Sequence, residues 1–297
     1  MAWRDRLNAW LPQIVLAPSL AATFLYVFLF SIWTIWISLS KSSLLPEYTL
    51  VGFKHYGELW LNHRWTIAYT NLFVFGALYV IGTAIIGLFL AILIDQRIRA
   101  EALFRTLYLY PVAVSFVVTG TVWRWIFNPA SGIESMMHHL GWNDFHFAWI
   151  ADRDMAIYTV VLSGVWNHAG FCMVLFLAGL RSVDPDLIKA AQIDGASLAR
   201  IYRRILIPSI RPIFIAVLVV LLQFAIKTFD LVQALTTGGP GLSTQVPAIY
   251  VYDLMFQRGQ LAEGAAGAIM ILLALAAVLV PYGLYRNLRN RREMARV

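Results

Sequence analysis

The feature that most constrains this chain is a series of six apolar runs, each long enough to cross a lipid bilayer as a helix. A spanning helix needs roughly 20 mainly apolar residues. The runs lie at 12–39, 67–94, 106–127, 156–180, 213–236 and 264–285. Only 13% of the 297 residues are charged and 60% are hydrophobic, too apolar a mixture for a water-soluble fold. The sequence therefore predicts an all-α integral membrane protein with six transmembrane helices in one domain, 1–297.

The distribution of basic residues predicts how these helices are oriented. The side that holds both termini carries 16 of the 23 Lys and Arg residues, the opposite side carries six, and Arg124 lies inside the third run. Because cytoplasmic loops are enriched in Lys and Arg, both termini are expected in the cytoplasm. The net charge of +7 follows from this topology, so nucleic acid is not an expected partner. The first run is too long for a signal peptide and is interpreted as a retained span.

Sequence signals for chemistry are sparse. The single cysteine, Cys172, gives no Cys-based metal framework, and the pair His138-His139 is too short to form a metal site. The chain contains no GxxxxGK[ST] phosphate loop and no recognisable Ser/His/Asp set. No catalytic residue, metal or cofactor is therefore predicted. Any energy source would have to come from another chain or from an ion gradient.

The connection between the fourth and fifth runs, residues 184–212, is too organised for a plain loop. Asp184 can cap a helix, Pro185 fits the first helical position, and Gly195 fits the left-handed residue just past the end. Ser197 is a possible second cap, before apolar residues at helical spacing with arginines beside them. The pattern predicts a helix, a sharp bend and an amphipathic helix. The residues alone leave two interpretations open, a helix resting on lipid and a docking element for a partner.

Two motifs carry a resemblance to a known family. The run Lys189-Ala190-Ala191-Gln192-Ile193-Asp194-Gly195-Ala196, followed by Ile207-Pro208 and Pro212, resembles the EAA loop of ABC importer permeases, whose pattern is E-A-A-x-x-x-G. Lys189 stands where that family usually has Glu, which reverses a charge. The run Leu235-Thr236-Thr237-Gly238-Gly239-Pro240, followed by Thr244, is similar to a signature of carbohydrate-uptake permeases. The resemblance spans about 12–285, and a glucose or mannose permease is one finer assignment within that group.

The resemblance implies a type I ABC importer permease that moves a sugar across a bacterial or archaeal cytoplasmic membrane by alternating access. It implies four kinds of partner: a second similar permease, two ATPase subunits, an extracytoplasmic sugar-binding protein and the lipid bilayer. ATP hydrolysis would belong to the separate subunits, so this chain is not expected to be an enzyme. The residues implied to couple to the ATPase are Ala190, Ala191, Asp194, Gly195, Ala196, Ile207 and Pro208.

Polar and aromatic residues inside the runs are candidates for the solute path, since intramembrane polar groups are functional candidates by default. The residues selected for this path are Asn167, His168, Phe171, Phe224, Lys227 and Thr228. Helix–helix hydrogen bonding and snorkelling are the competing interpretation, also for Arg124 and Asp230. Lys227 and Asp230 are three residues apart and are expected to share a helix face. The alternatives to sugar import are an ABC permease for another solute, an ion-coupled transporter and a membrane enzyme.

Overall fold

The computed structural model describes residues 15–96 and 98–294. In this part of the chain the regular secondary structure is helical, apart from one isolated β-bridge between Ser40 and Leu50. Residues 12–14 of the first predicted span, the basic residues near the N-terminus, Arg97 and Arg296 lie outside the described residues. The helices are α1 Val15–Ser38, α2 Lys54–Leu61, α3 His63–Asp95, α4 Glu101–Ala113, α5 Phe116–Ile126, α6 Ile133–His139, α7 Ala156–Arg181, α8 Pro185–Ile193, α9 Leu198–Ser209, α10 Arg211–Ile226, α11 Phe229–Leu235, α12 Pro247–Tyr252 and α13 Leu261–Met294. The middle of α9 is a π-helical stretch at Tyr202–Leu206.

Four of the described helices, α1, α3, α7 and α13, are long and apolar enough to cross a membrane. Two further helix pairs pass the same test only when taken together. The α4–α5 pair bends by 100° and the α9–α10 pair by 67°. The described residues therefore provide four spans, or up to six if each bent pair is one span.

The third and fifth predicted runs are each divided in the structure. In the third, α4 contains Pro111 in its last turn, and α5 starts afresh at Ser115, whose hydroxyl accepts a hydrogen bond from the Val118 N–H at 3.3 Å. In the fifth, α10 ends before Lys227 and α11 begins after Thr228. Hydropathy is continuous across both breaks, so an apolar run alone does not show them.

The chain divides into two compact units. The first takes the chain up to Asn62 together with Val251–Met270. Within it, Leu59, Leu254 and Ala262 are fully buried, and the Ala262 N–H donates to the Ser42 carbonyl at 3.0 Å. This unit is thus held by packing and by backbone hydrogen bonds between its two stretches.

The second unit takes His63–Tyr250 and the chain from Ile271, and α7 is its central helix. Two thirds of the most apolar part of α7 is buried, against α3, α4, α5 and α10. At Gly170 the packing is closest, since a Cβ there would lie 1.7 Å from the Tyr108 carbonyl oxygen. Trp65, in the first turn of α3, is wholly buried, and its ring lies 5.0 Å from that of Tyr69 and 5.8 Å from that of Tyr250.

Candidate functional site

The first helix of the 184–212 segment begins where the sequence predicts. The Asp184 carboxylate accepts a hydrogen bond from the Asp186 N–H at 2.9 Å, and Pro185 occupies the first turn. Asp186 also pairs with Lys189, whose Nζ lies 2.9 Å from its carboxylate. Lys189, which stands where the EAA pattern has Glu, therefore forms an exposed ion pair within α8.

The end of this helix is a closed turn. Gly195 has φ +74°, and its N–H donates to the Gln192 carbonyl at 3.0 Å. The N–H of Ala196 donates to the Ala191 carbonyl at 3.0 Å. These two hydrogen bonds form a Schellman motif, which ends a helix on a left-handed residue and favours glycine there. The prediction for Gly195 is confirmed, and the bend is a defined element.

The prediction that Ser197 caps the second helix of the segment is confirmed for its backbone and wrong for its side chain. Ser197 has the extended backbone of a capping residue, but its side chain makes no capping hydrogen bond with α9. In α9, Ile207 and Pro208 are half-buried and follow the π-helical stretch. In the turn, Ala191 is buried, Ala196 is half-buried, and Ala190, Asp194 and Gly195 are exposed.

The bend presents apolar side chains to its surroundings. Leu187 is 54% exposed, Leu198 52% and Ile193 87%. Exposed large apolar side chains close together in the sequence make this segment a candidate interaction surface. With the exposed alanine and glycine between them, they leave room for the backbone of another protein to approach.

Four polar side chains, which we call the anchor network, tie this segment to the ends of three other helices. They are Asp95, Glu101, Arg181 and Tyr202. The Tyr202 hydroxyl donates to Asp95 Oδ2 at 2.6 Å. Arg181 donates from Nη1 to Glu101 at 2.8 Å, and its Nε lies 3.5 Å from Asp95. Burial raises the pKa of Tyr202, so the neutral hydroxyl is the donor.

The anchor network lines a cavity of about 920 Å³. The other lining residues come partly from the ends of the neighbouring helices, such as Gln96 and Leu180, and partly from the 184–212 segment, such as Pro185 and Ile188. The anchor network therefore connects α9 to the ends of α3, α4 and α7.

Two of the predicted path residues meet in an aromatic cluster formed by Tyr79, Phe116, His168 and Phe224. The ring of His168 lies 4.3 Å from that of Phe224, 5.2 Å from Phe116 and 5.8 Å from Tyr79. These four residues come from four different helices. The hydroxyls of Tyr79 and the neighbouring Thr83 are buried without a hydrogen-bond partner among the described residues. The cluster thus combines aromatic faces with unpaired polar groups.

Asn167, next to the cluster, has a structural role. Its amide donates to the Pro111 carbonyl at 2.8 Å and to Thr119 Oγ1 at 3.1 Å. Pro111 and Thr119 lie on opposite sides of the α4–α5 break, so Asn167 bridges the 100° bend. A helix break inside a bundle frees backbone carbonyls, and buried carbonyls need donors.

The other predicted residues are more scattered. Phe171 packs against the core of the second unit, Thr228 is buried and Lys227 is exposed. The expectation that Lys227 and Asp230 share a helix face is wrong, because the helix breaks between them. No ion pair between these two occurs among the described residues. Arg124 donates to the Leu235 carbonyl at 2.7 Å, which favours helix–helix hydrogen bonding for it.

The Thr-Thr-Gly-Gly-Pro loop is a fixed structure built around two threonines. The hydroxyls of Thr236 and Thr244 are 2.7 Å apart, and Thr244 also donates to the Gly239 carbonyl at 2.8 Å. Asn71 of α3 holds the far side of the loop by donating to the Leu242 carbonyl at 2.8 Å. The separation of the two threonines in the sequence signature is thus explained by a direct contact.

Comparison with known proteins identifies the family. Residues 83–294 match the family described as binding-protein-dependent transport system inner membrane component. The chain belongs to this family of permeases. A probable ABC transporter permease of Pyrococcus horikoshii is 39% identical over 277 residues, 92% of this chain and 94% of that protein. The xylose/arabinose import permease of Haloferax volcanii is 35% identical over 243 residues, 81% of this chain and 76% of that protein.

The fold of the permease is shared with a solved transporter. A crystal structure of a bacterial alginate ABC transporter, in complex with an alginate pentasaccharide-bound periplasmic protein, matches with a TM-score of 0.81. The match covers 96% of this chain and 97% of that chain at 22% identity. The permease is therefore an inner-membrane component with an all-helical importer fold.

Sequence reasoning missed several residues that the structure brings to these sites. Tyr79 and Phe116 face His168, yet each is one of many aromatic residues in an apolar run. Asp95 directly follows the second run and Arg181 directly follows the fourth, and in the sequence each indicates only where a run ends. A search for charged residues at span ends that could pair across loops would have suggested the anchor network.

Proposed function

We propose that this permease imports a sugar as one membrane subunit of an ATP-driven importer. The observation that carries the proposal is the 184–212 segment, a rigid helix–turn–helix that exposes Leu187, Ile193 and Leu198 and is anchored to the bundle through Tyr202. Sugar as the solute is supported by the xylose/arabinose relative and the alginate transporter. The threonine-paired loop at 236–244 adds to that support.

The proposed assembly contains a second, similar permease, two ATPase subunits and an extracytoplasmic sugar-binding protein. The family's dependence on a binding protein supports the last of these. The uncovered apolar side chains of the 184–212 segment support an ATPase contact at Ala190, Ala191, Asp194, Gly195 and Ala196, with Ile207 and Pro208 behind them. The excess of Lys and Arg on one side supports six spans with both termini and this segment in the cytoplasm.

The proposed mechanism is alternating access between two packings of the bundle. ATP binding closes the ATPase pair, and a helix seated in each ATPase moves with it. Because Gly195 fixes the angle between α8 and α9, the segment moves as a stiff lever. The anchor network passes that movement to the ends of α3, α4 and α7. Two discrete arrangements biased by a ligand give such a switch.

The proposed solute path runs past the aromatic cluster. Aromatic faces stack on sugar rings, and nearby hydroxyls satisfy sugar hydroxyl groups. His168 and Phe224 are proposed to contact solute directly, with Tyr79 and Phe116 beside them. The remaining predicted path residues, Asn167, Phe171, Lys227 and Thr228, are proposed to shape the wall around them, and Asn167 does so through the α4–α5 bend.

The test is uptake by proteoliposomes that contain the assembled importer and are supplied with radiolabelled pentoses, hexoses, oligosaccharides and amino acids. We expect uptake of a sugar that requires the binding protein and internal ATP. Uptake of an amino acid alone would assign the second candidate, a permease for a non-sugar solute. Uptake that follows an ion gradient and persists without ATP would refute the proposal.

A pair of variants tests the path. Phe224→Ala removes the ring closest to His168 and is expected to lower uptake at least tenfold at equal protein abundance. Phe89→Ala, at a residue of α3 that is 59% exposed, is the matched control and is expected to leave uptake unchanged. Equal uptake by the two variants would show that the aromatic cluster does not line the solute path.

A further inference from the structure

A cluster of metal-ligand side chains lies outside the transport machinery, on α6 and the loop that follows it. Glu134 and His138 are four residues apart, so they lie one above the other on the same face of α6. The chain then turns back and brings His146 against them, with its Nδ1 3.4 Å from Glu134 Oε1. One ligand atom from each of the three residues lies within 4.8 Å of the other two.

The backbone of the same loop holds two of these side chains in place. The Phe145 carbonyl lies 2.8 Å from His138 Nε2, and since a carbonyl only accepts, this ring nitrogen carries the proton. The other nitrogen of His138 then has a free lone pair. Glu134 uses Oε2 to accept from the Phe147 N–H at 3.1 Å, which leaves Oε1 toward His146. Metal-binding histidines commonly donate their second N–H to a backbone carbonyl in this way.

We propose that Glu134, His138 and His146 bind one Zn²⁺ ion. Two imidazoles and a carboxylate are a common ligand set for zinc, with water in the fourth position. Tetrahedral ligand atoms about 2.0 Å from zinc lie about 3.3 Å from one another, so atoms up to 4.8 Å apart would have to approach by about 1.5 Å. His146 can supply that movement because its side chain is 78% exposed. The bound ion ties the 145–147 stretch to α6.

The chain contains a matched control for this site. His139 adjoins His138 on α6, but its Nδ1 lies 2.7 Å from the Ser135 carbonyl and it is outside the cluster. If zinc bound surface histidines in general, His138→Ala and His139→Ala would weaken zinc binding equally. The proposed site predicts weaker zinc binding for His138→Ala only.

The experiment uses the full-length permease, purified without a polyhistidine tag, stripped with EDTA and placed in lipid nanodiscs. Zn²⁺ is titrated against a fluorescent competing chelator. We expect one site per chain in the wild type and in His139→Ala. His138→Ala, His146→Ala and Glu134→Gln are each expected to lose at least tenfold in affinity, in keeping with the loss of one ligand. Equal binding by all variants, or no stoichiometric site in the wild type, would overturn the proposal.

A second measurement tests the ligands without mutation. X-ray absorption at the zinc edge should show two imidazoles and oxygen ligands at about 2.0–2.1 Å. A spectrum with one imidazole, or with oxygen ligands alone, would contradict the site. The thiol of Cys172, which is fully buried, reports on folding, because it stays unreactive in any variant that remains folded. The outcome does not depend on which solute the permease transports.

Discussion

Replacing Tyr202 with phenylalanine removes one hydroxyl group from the anchor network and leaves the ring in place. Tyr202 is only 8% exposed, and its hydroxyl lies 2.6 Å from Asp95. A hydrogen bond to a charged group contributes about 1.5–3 kcal/mol. With about 2–4 °C per kcal/mol for a large domain, Tyr202→Phe is expected to lower the melting temperature by about 3–12 °C.

The permease carries its own reporter for this measurement. Cys172 is the single cysteine of the chain and is fully buried in α7. A thiol-reactive fluorogenic dye therefore stays dark on the folded protein and reports unfolding on heating. Tyr158→Phe, at a tyrosine of α7 that is 39% exposed, is the control for loss of a hydroxyl elsewhere and is expected to shift the midpoint by less than about 1 °C.

A double-mutant cycle separates the hydrogen bond from other effects of the substitutions. The cycle compares Tyr202→Phe, Asp95→Ala and the double variant, and since alanine has no acceptor, its interaction term isolates the direct contact. We expect a coupling of about 1 kcal/mol or more. Additive shifts would refute the contact, and with it the claim that the 184–212 segment is anchored through Tyr202. In the assembled importer, Tyr202→Phe should raise the ATP hydrolysed per solute moved, since the lever is then attached less firmly.

Three further outcomes follow from the packing. Gly170→Ala would place a methyl group 1.7 Å from the Tyr108 carbonyl oxygen and should destabilise the folded protein by about 3 kcal/mol or more. Gly283→Ala, where a Cβ would have nothing within 4 Å, is the control and should leave the unfolding midpoint in the same dye assay unchanged. Gly195→Val should reduce ATP-driven uptake at equal protein abundance, because valine is strained at a positive φ. Gly195→Asn should retain most of the uptake, because asparagine tolerates that conformation. Equal uptake by the two variants would show that the left-handed conformation at residue 195 is not required. Thr244→Val should lower the melting temperature by about 2–6 °C, since the Thr236 hydroxyl and the Gly239 carbonyl lose their partner.

The parts of the fold that the sequence predicted well are those determined by neighbouring residues. The start at Asp184, the proline after it and the turn at Gly195 depend on hydrogen bonds between residues at most five positions apart. The second and fourth runs were placed within a few residues of α3 and α7, because helix length follows directly from the length of the apolar stretch. These features need no knowledge of the tertiary packing.

The parts that the sequence did not predict depend on distant residues. The α4–α5 bend is stabilised by Asn167, which lies 56 positions from Pro111 along the chain. Hydropathy averages over the bend, so one continuous span was expected there. The pairing expected for Lys227 and Asp230 failed for a related reason, because their helical spacing has meaning only if the helix continues through both.

The same distinction separates the 184–212 motif from its effect on the bundle. The proposed lever would transmit movement only if it is stiff and if its far end is attached, and different kinds of residue would meet the two requirements. Gly195 supplies the stiffness locally, and its role can be read from the motif. The attachment comes from Asp95, Glu101 and Arg181, which lie on other helices and join Tyr202 only after folding. If the proposed ATPase contact forms, a chain that keeps the motif but lacks these side chains is expected to bind the ATPase still. The ATPase subunits of that importer would then hydrolyse ATP without solute being moved.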